Sequence, residues 1–241
     1  MTEYHYNLDI DSLEIFPEEI YKDPFVVFHG TSSYHSESIE RNGFIKSRSP
    51  FNLDQARELI RILKLPEIIA YDTPSIIGMT QAQSLQDYTN AIDGNYFRLS
   101  FSCLSYQCVL FSSGQSKGGQ AVGTIRRAKQ IISKAITDGI ATNAVISEPV
   151  SKLFNLIENI ENAQGIIYAI KLPDTLEEIT LELNVVYSSQ NISVNSIVGK
   201  VFLPEYIEQI DKTTISKKLS DKLYNARGLG PIINRREFNE D

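Results

Sequence analysis

The chain has no tryptophan, only two cysteines and only three histidines in 241 residues. Each shortage removes a class of chemistry. Cys103 and Cys108 lie five positions apart in an apolar segment, which suits reduced thiols in an interior and not a disulfide framework. His5, His29 and His35 are too scattered to make a zinc set with two cysteines elsewhere, so no metal is expected. Long apolar runs are missing as well. Residues 1–20 are acidic and polar with no signal core, and no stretch approaches the length of a membrane span, which together predict a cytoplasmic protein without membrane contact. A surplus of positive charge is also lacking: 30 acidic against 23 basic residues give a net charge of −7. That balance disfavours a broad electrostatic grip on nucleic acid, because Arg126-Arg127 and Arg235-Arg236 are too short to form a basic patch.

What is present is ordinary globular material. Hydrophobic residues make up 42% and charged residues 22%, enough to bury a real core and too little charge imbalance for wholesale disorder. One domain is expected, preceded by an extension over residues 1–24 and followed by a surface helix and tail over 213–241.

The apolar run Phe25-Val26-Val27-Phe28 breaks directly into His29-Gly30-Thr31-Ser32, as a buried strand ending in a polar turn would. Ser32 or Ser33 can then cap a short helix through Tyr34 to Arg41, and Asn42-Gly43 supplies its left-handed stop. In the turn itself Gly30 would allow close backbone approach to a ligand. The His29 ring and the Thr31 and Ser32 hydroxyls add several hydrogen-bonding groups in a small volume. The plain alternative is a packing histidine beside an ordinary turn glycine.

Asn52 is placed to cap a helix with apolar residues at helical spacing up to Leu63, limited by Pro66. Residues 67–93 carry mixed signals, and the whole of 52–93 reads as an insertion near an active site. Gly118-Gly119-Gln120 lacks the Gly-Lys-Ser/Thr that a phosphate loop needs and opens a helix instead. A second long helix starts at Ser147-Glu148-Pro149 and runs to about Asn162. Strand-like runs follow at 165–172, 180–187 and 197–203. Helices in the middle and clustered strands after them predict an α+β fold with a largely antiparallel sheet.

Two further segments carry chemistry. Gly94-Asn95-Tyr96-Phe97-Arg98-Leu99-Ser100-Phe101-Ser102 reads as a strand leading into a helix-compatible run from Cys103 to Phe111. In Ile179-Thr180-Leu181-Glu182-Leu183-Asn184-Val185, strand alternation sets Glu182 with Thr180 and Asn184, opposite Leu181, Leu183 and Val185.

Strand, His-Gly-Thr-Ser, short helix and Asn-Gly-Phe resemble the front of ADP-ribosyltransferase-like domains of the His-Tyr-Glu type. The resemblance covers the 25–45, 94–111 and 165–203 regions, within a domain expected over residues 25–212, with 52–93 as its insertion. It implies split antiparallel sheets flanked by helices. It implies NAD as a substrate and no metal. His29, with Gly30, Thr31 and Ser32, would hold the dinucleotide. Tyr96 would stack on the nicotinamide if Gly-x-Tyr-Phe is the matching motif. If Ser-x-Ser is, then Ser100 or Ser102 would bond the ribose and the aromatic would come from elsewhere, such as Tyr106. Glu182 would be the catalytic carboxylate, with Asn184 the competing register, and Asn184 there would imply a domain that binds more than it catalyses. The implied activity is cleavage of the nicotinamide–ribose bond and transfer of ADP-ribose to a macromolecular acceptor, protein or nucleic acid, as some toxins do, with an inhibitory partner protein among the implied partners. Thr180, two positions before Glu182, argues against arginine as acceptor. The rivals are an NAD glycohydrolase, a non-catalytic nucleotide- or protein-binding domain, and RNA 2′-phosphotransfer, for which this chain is short of basic residues.

Overall fold

The computed structural model describes residues 1–46, 48–72, 77–114, 117–172, 179–182, 185–209 and 212–226, with backbone alone for 70, 72, 77, 179–182, 208, 209, 212 and 223–226. In chain order the strands are β1 (Thr2–Tyr4), β2 (Val26–Ser32), β3 (Leu99–Ser102), β4 (Gly165–Lys171), β5 (Ile179–Glu182), β6 (Val185–Ser188) and β7 (Ile197–Phe202). The helices are α1 (Glu18–Tyr21), α2 (Ser36–Asn42), α3 (Leu53–Leu63), α4 (Pro66–Asp72), α5 (Ile77–Asp93), α6 (Val109–Ser112), α7 (Gln120–Thr137), α8 (Glu148–Asn162) and α9 (Lys212–Ala226).

These elements fall into two compact units instead of the one expected: Met1–Lys46, Arg98–Gly114 and Ala163–Asp241 form the first, and Ser47–Phe97 with Gln115–Asn162 form the second. The second unit is helical among its described residues. Asn52 Oδ1 accepts from the main-chain N–H groups of Asp54 and Gln55, as the cap reading requires. Behind that cap, Ala56, Leu59, Ile60 and Leu63 form an apolar stripe on α3 that buries against Val122, Ile125 and Ile132 of α7 and Leu153 and Ile157 of α8. The segment Ser47–Phe97, which interrupts the first unit between Lys46 and Arg98, thus packs with residues 115–162 as one helical unit.

All seven strands belong to the first unit and form one mixed sheet in the order β1-β7-β4-β2-β3-β6-β5. Every pairing is antiparallel except that of β1 with β7. The expected split sheets are therefore joined, but narrowly: β2 meets β4 over seven residue pairs and β3 through the single pair Phe28 and Ser102. Residues 1–24 are built in and are not an appendage. They supply β1 and the buried Leu13, Ile15, Phe16 and Ile20, which pack with Phe28, Ile167 and Val201 on one sheet face. Burying side chains of this size stabilises by roughly 1.5–3 kcal/mol each. The other face packs Val27, Tyr168, Ile170, Phe101 and Val186 against Phe44 and Ile192.

Two strand expectations are corrected. The stretch read as one strand over 180–187 is two, β5 and β6, paired antiparallel with Glu182 opposite Val185. The stretch read as a strand from Gly94 is a strand only over Leu99–Ser102. Helix α2 ends as read. Gly43 has φ +73°, and a Cβ there would lie 2.1 Å from the Ile192 oxygen, so glycine alone fits. Immediately after it, Phe44 and Ile192 exchange two main-chain hydrogen bonds of 2.9 Å, which anchors the Phe44 ring on the sheet.

Candidate functional site

One register row crosses four strands on the Phe44 face. Glu3 of β1 stands opposite Lys200 of β7, Lys200 opposite Tyr168 of β4, and Tyr168 opposite His29 of β2. Directly opposed residues share a face. At the joint between β2 and β3 the row continues into Phe101, whose ring centroid is 5.7 Å from that of His29.

His29 is half-buried and held from three sides. Its Nδ1–H donates to the Ser100 main-chain oxygen at 3.1 Å, since a carbonyl can only accept. Phe44 and Phe101 meet its ring edge-on, with centroid distances of 4.9 and 5.7 Å. Desolvation by these neighbours pushes the imidazole below the ordinary histidine range, against the opposing effect of the Ser100 carbonyl. The neutral tautomer carries its proton on Nδ1, which leaves Nε2 as an acceptor with no partner among the described residues.

The rest of the His-Gly-Thr-Ser segment serves the scaffold. A Cβ on Gly30 would fall 2.1 Å from the Cys108 oxygen and 2.5 Å from Ser112 Oγ. Gly30 therefore admits α6 onto the sheet, a packing role beside the ligand role expected from sequence. Ser112 completes that contact with its hydroxyl 2.9 Å from both the Cys108 and Ile166 carbonyl oxygens. Ser32 Oγ accepts from the Tyr34 N–H at 3.3 Å, so it is used as a cap. Thr31 is buried opposite Ile166, and alternation along β2 gives it the same face as His29.

The residues of the second segment divide. Ser102 is buried, with Oγ 2.6 Å from Gln107 Oε1 and accepting from the Leu104 N–H at 3.0 Å, so it organises the turn into α6. Ser100 is exposed, and because Phe101 faces His29, alternation turns the Ser100 and Ser102 side chains to the opposite side. Only the Ser100 carbonyl reaches the imidazole. Tyr96 lies outside β3, in the helical unit, and is 61% exposed. Tyr106 is buried in the core on the Phe28 side of the sheet.

Register fixes Glu182 by its backbone. It stands in the row Glu182, Val185, Ser102 and Phe28, next to the row Leu181, Val186 and Phe101 that leads to His29. Its side chain and all of Asn184 lie outside the described residues.

Sequence reasoning missed Glu40, Tyr168, Lys200 and Glu3. Tyr168 is fully buried, and its hydroxyl donates to Glu40 Oε1 at 3.2 Å. Lys200 Nζ donates to the same oxygen at 2.9 Å, lies 3.5 Å from Glu3 Oε2 and stands 5.3 Å above the Phe202 ring. Burial, and then the Glu40 carboxylate, push the Tyr168 hydroxyl above the ordinary tyrosine range, so it stays a donor. A signal existed in Ile39-Glu40-Arg41, a carboxylate beside the apolar residue by which α2 packs down, but the partners come from strands more than a hundred residues away.

Elsewhere, burial pushes the Cys108 thiol up and leaves it inert. A shallow open cleft in the helical unit is lined by Asn52, Asp54, Gln55, Glu58, Pro149 and Lys152, none of them nominated from sequence. Among the described residues no group of three His, Cys, Asp or Glu is placed to hold a metal ion, and no helix is long and apolar enough to cross a membrane. The chain matches no protein-family model, no curated protein and no solved structure.

Proposed function

We propose that the His29 face binds NAD and that the protein cleaves the nicotinamide–ribose bond, passing ADP-ribose to a macromolecular acceptor. The observation that carries this reading is the state of His29: one ring nitrogen is tied to the Ser100 carbonyl, and the other is left for a ligand at the narrow joint of the sheet. A ring held in this way has little orientational freedom to lose on binding. In the reaction the bond from the ribose anomeric carbon to the nicotinamide nitrogen breaks, and its electron pair leaves with neutral nicotinamide. The ribosyl centre becomes oxocarbenium-like, and an acceptor hydroxyl, amine or carboxylate adds to it, losing a proton where it carries one. A carboxylate near that centre stabilises the cation, a role that the resemblance gives to Glu182.

A second reading is a domain that binds the dinucleotide without cleaving it. The register favours it, because Glu182 stands in the row of Phe28 and not in that of His29. Incubation with NAD labelled in its adenosine half separates the two. Label on protein or nucleic acid supports transfer, and label in free ADP-ribose makes the protein a glycohydrolase. Intact NAD retained on the protein supports the binding domain, and no retention and no consumption overturns both readings.

A further inference from the structure

Glu40 and His29 share a construction. Each is half-buried, each is fixed through one heteroatom by a group of the sheet, and each has its second heteroatom without a partner among the described residues. For Glu40 the fixed atom is Oε1, gripped by the Tyr168 hydroxyl and the Lys200 ammonium, and the carboxylate keeps 27% side-chain exposure. The two groups belong to one surface. Tyr168, which grips Glu40, is the direct cross-strand partner of His29, and Phe44 packs edge-on against both rings, at 4.9 Å from His29 and 5.9 Å from Tyr168.

The Glu40–Lys200 pair is mostly buried, with 27% and 15% of the two side chains exposed, so it also supports the fold. Two donors on one oxygen hold the carboxylate in place and leave Oε2 with its acceptor capacity unspent. An anchored anionic acceptor beside an anchored neutral acceptor suits a ligand that presents hydroxyl donors on a rigid frame. It does not suit a phosphate, which Glu40 would repel.

We infer that Glu40 is a ligand-binding carboxylate of the His29 site, accepting a ribose hydroxyl through Oε2, with Tyr168 and Lys200 as its positioning residues. This rests on the NAD reading and deepens it by assigning a ribose contact that the His29 segment does not contain. Lys200 in turn is shared with Glu3, so β1 at the sheet edge helps to set the carboxylate.

The test is calorimetry of the full chain with NAD and with the two NAD analogues lacking the 2′-hydroxyl of one ribose or the other. The parent is expected to bind one analogue about tenfold to a hundredfold more weakly than NAD, as loss of a hydrogen bond to a charged group implies. In Glu40→Gln that preference should collapse toward unity, and NAD itself should weaken by a similar factor. If Glu40→Gln does not fold by circular dichroism, Glu40→Asp keeps the charge but withdraws it by one methylene, and the same loss of preference is expected. Tyr168→Phe should reduce the preference partway, which a purely structural contact would not do. A folded Glu40→Gln that keeps both NAD affinity and hydroxyl preference overturns the assignment and leaves the NAD reading standing. A parent chain that does not bind NAD overturns both.

Discussion

The His29 Nδ1–H donates to the main-chain oxygen of Ser100, 3.1 Å away on the neighbouring strand, and this bond decides which ring nitrogen can serve a ligand. Nε2 is then the acceptor, aimed by the sheet itself. His29→Ala removes it along with the ring that Phe44 and Phe101 enclose. Loss of one or two hydrogen bonds to a partly buried ligand costs about 1–3 kcal/mol, so NAD affinity should fall roughly tenfold to a hundredfold. Calorimetry giving the parental affinity in a folded variant would remove His29 from the site.

The same ring should make stability depend on pH in one direction. Desolvation lowers its pKa in the folded state, so the unfolded chain binds more protons below the ordinary histidine value of about 6.5. Stability therefore rises with pH across that window, is fully present above it and is lost as pH falls toward the folded value. The readout is the difference between parent and His29→Gln in denaturant melts from pH 7.5 to 5, which isolates this ring from every other ionisable group. The parent should lose more stability on acidification than the variant. Parallel curves would contradict the burial argument.

Gly30 is where α6 seats on the sheet. A methyl group there would sit 2.1 Å from the Cys108 oxygen, a main-chain atom that moves only if the helix does. Gly30→Ala should destabilise by about 1–3 kcal/mol or more, as overpacking does. Thermal melts check this, and the effect should appear without any ligand. A neutral outcome would mean that α6 shifts freely.

Local signals were legible and long-range ones were not. The Asn52 cap and the Gly43 stop depend on neighbours within a few positions, and both stand as the residue types dictate. The sequence alternates from Thr180 to Val185, straight across the change from β5 to β6, without an Asn-Gly or Asp-Gly to mark a reversal, so their pairing was invisible. The row Glu3, Lys200, Tyr168 and His29 depends on pairing residues from both ends and the middle of the chain. Nothing local in Glu3 or Lys200 reports it. The helical unit escaped for a similar reason, since its two halves are separated by β3 and α6.

Within that unit, Arg126 is only 7% exposed and is paired with Glu161, with the Lys117 oxygen at 3.4 Å as a further acceptor. Glu161→Ala leaves the guanidinium buried without its counter-charge, and removing one partner of a buried pair costs about 3–5 kcal/mol. The lower end is expected here, because Glu161 keeps 33% of its side chain exposed. Replacing both residues, Arg126→Met with Glu161→Leu, should recover most of the loss. Urea melts of the single and double variants measure the difference, and equal destabilisation by both would place the effect in packing instead of charge.

The last prediction decides between cleavage and binding. If Glu182 stabilises the oxocarbenium-like state, Glu182→Gln keeps the size and much of the hydrogen bonding while removing the charge. Turnover should then fall by about 10²–10³ with NAD affinity little changed. Its register row, shared with Phe28 and not with His29, points the other way. Rapid-quench measurement of nicotinamide release separates the cases. A folded Glu182→Gln chain that releases nicotinamide at the parental rate excludes Glu182 as the catalytic carboxylate. A binding role for Glu40 means that its Gln variant should weaken affinity and lose hydroxyl preference, whereas the Glu182 variant should do neither. Two carboxylates with separable effects, one on Kd and one on kcat, would support a catalytic domain. An effect confined to Glu40 is what a binding domain would give.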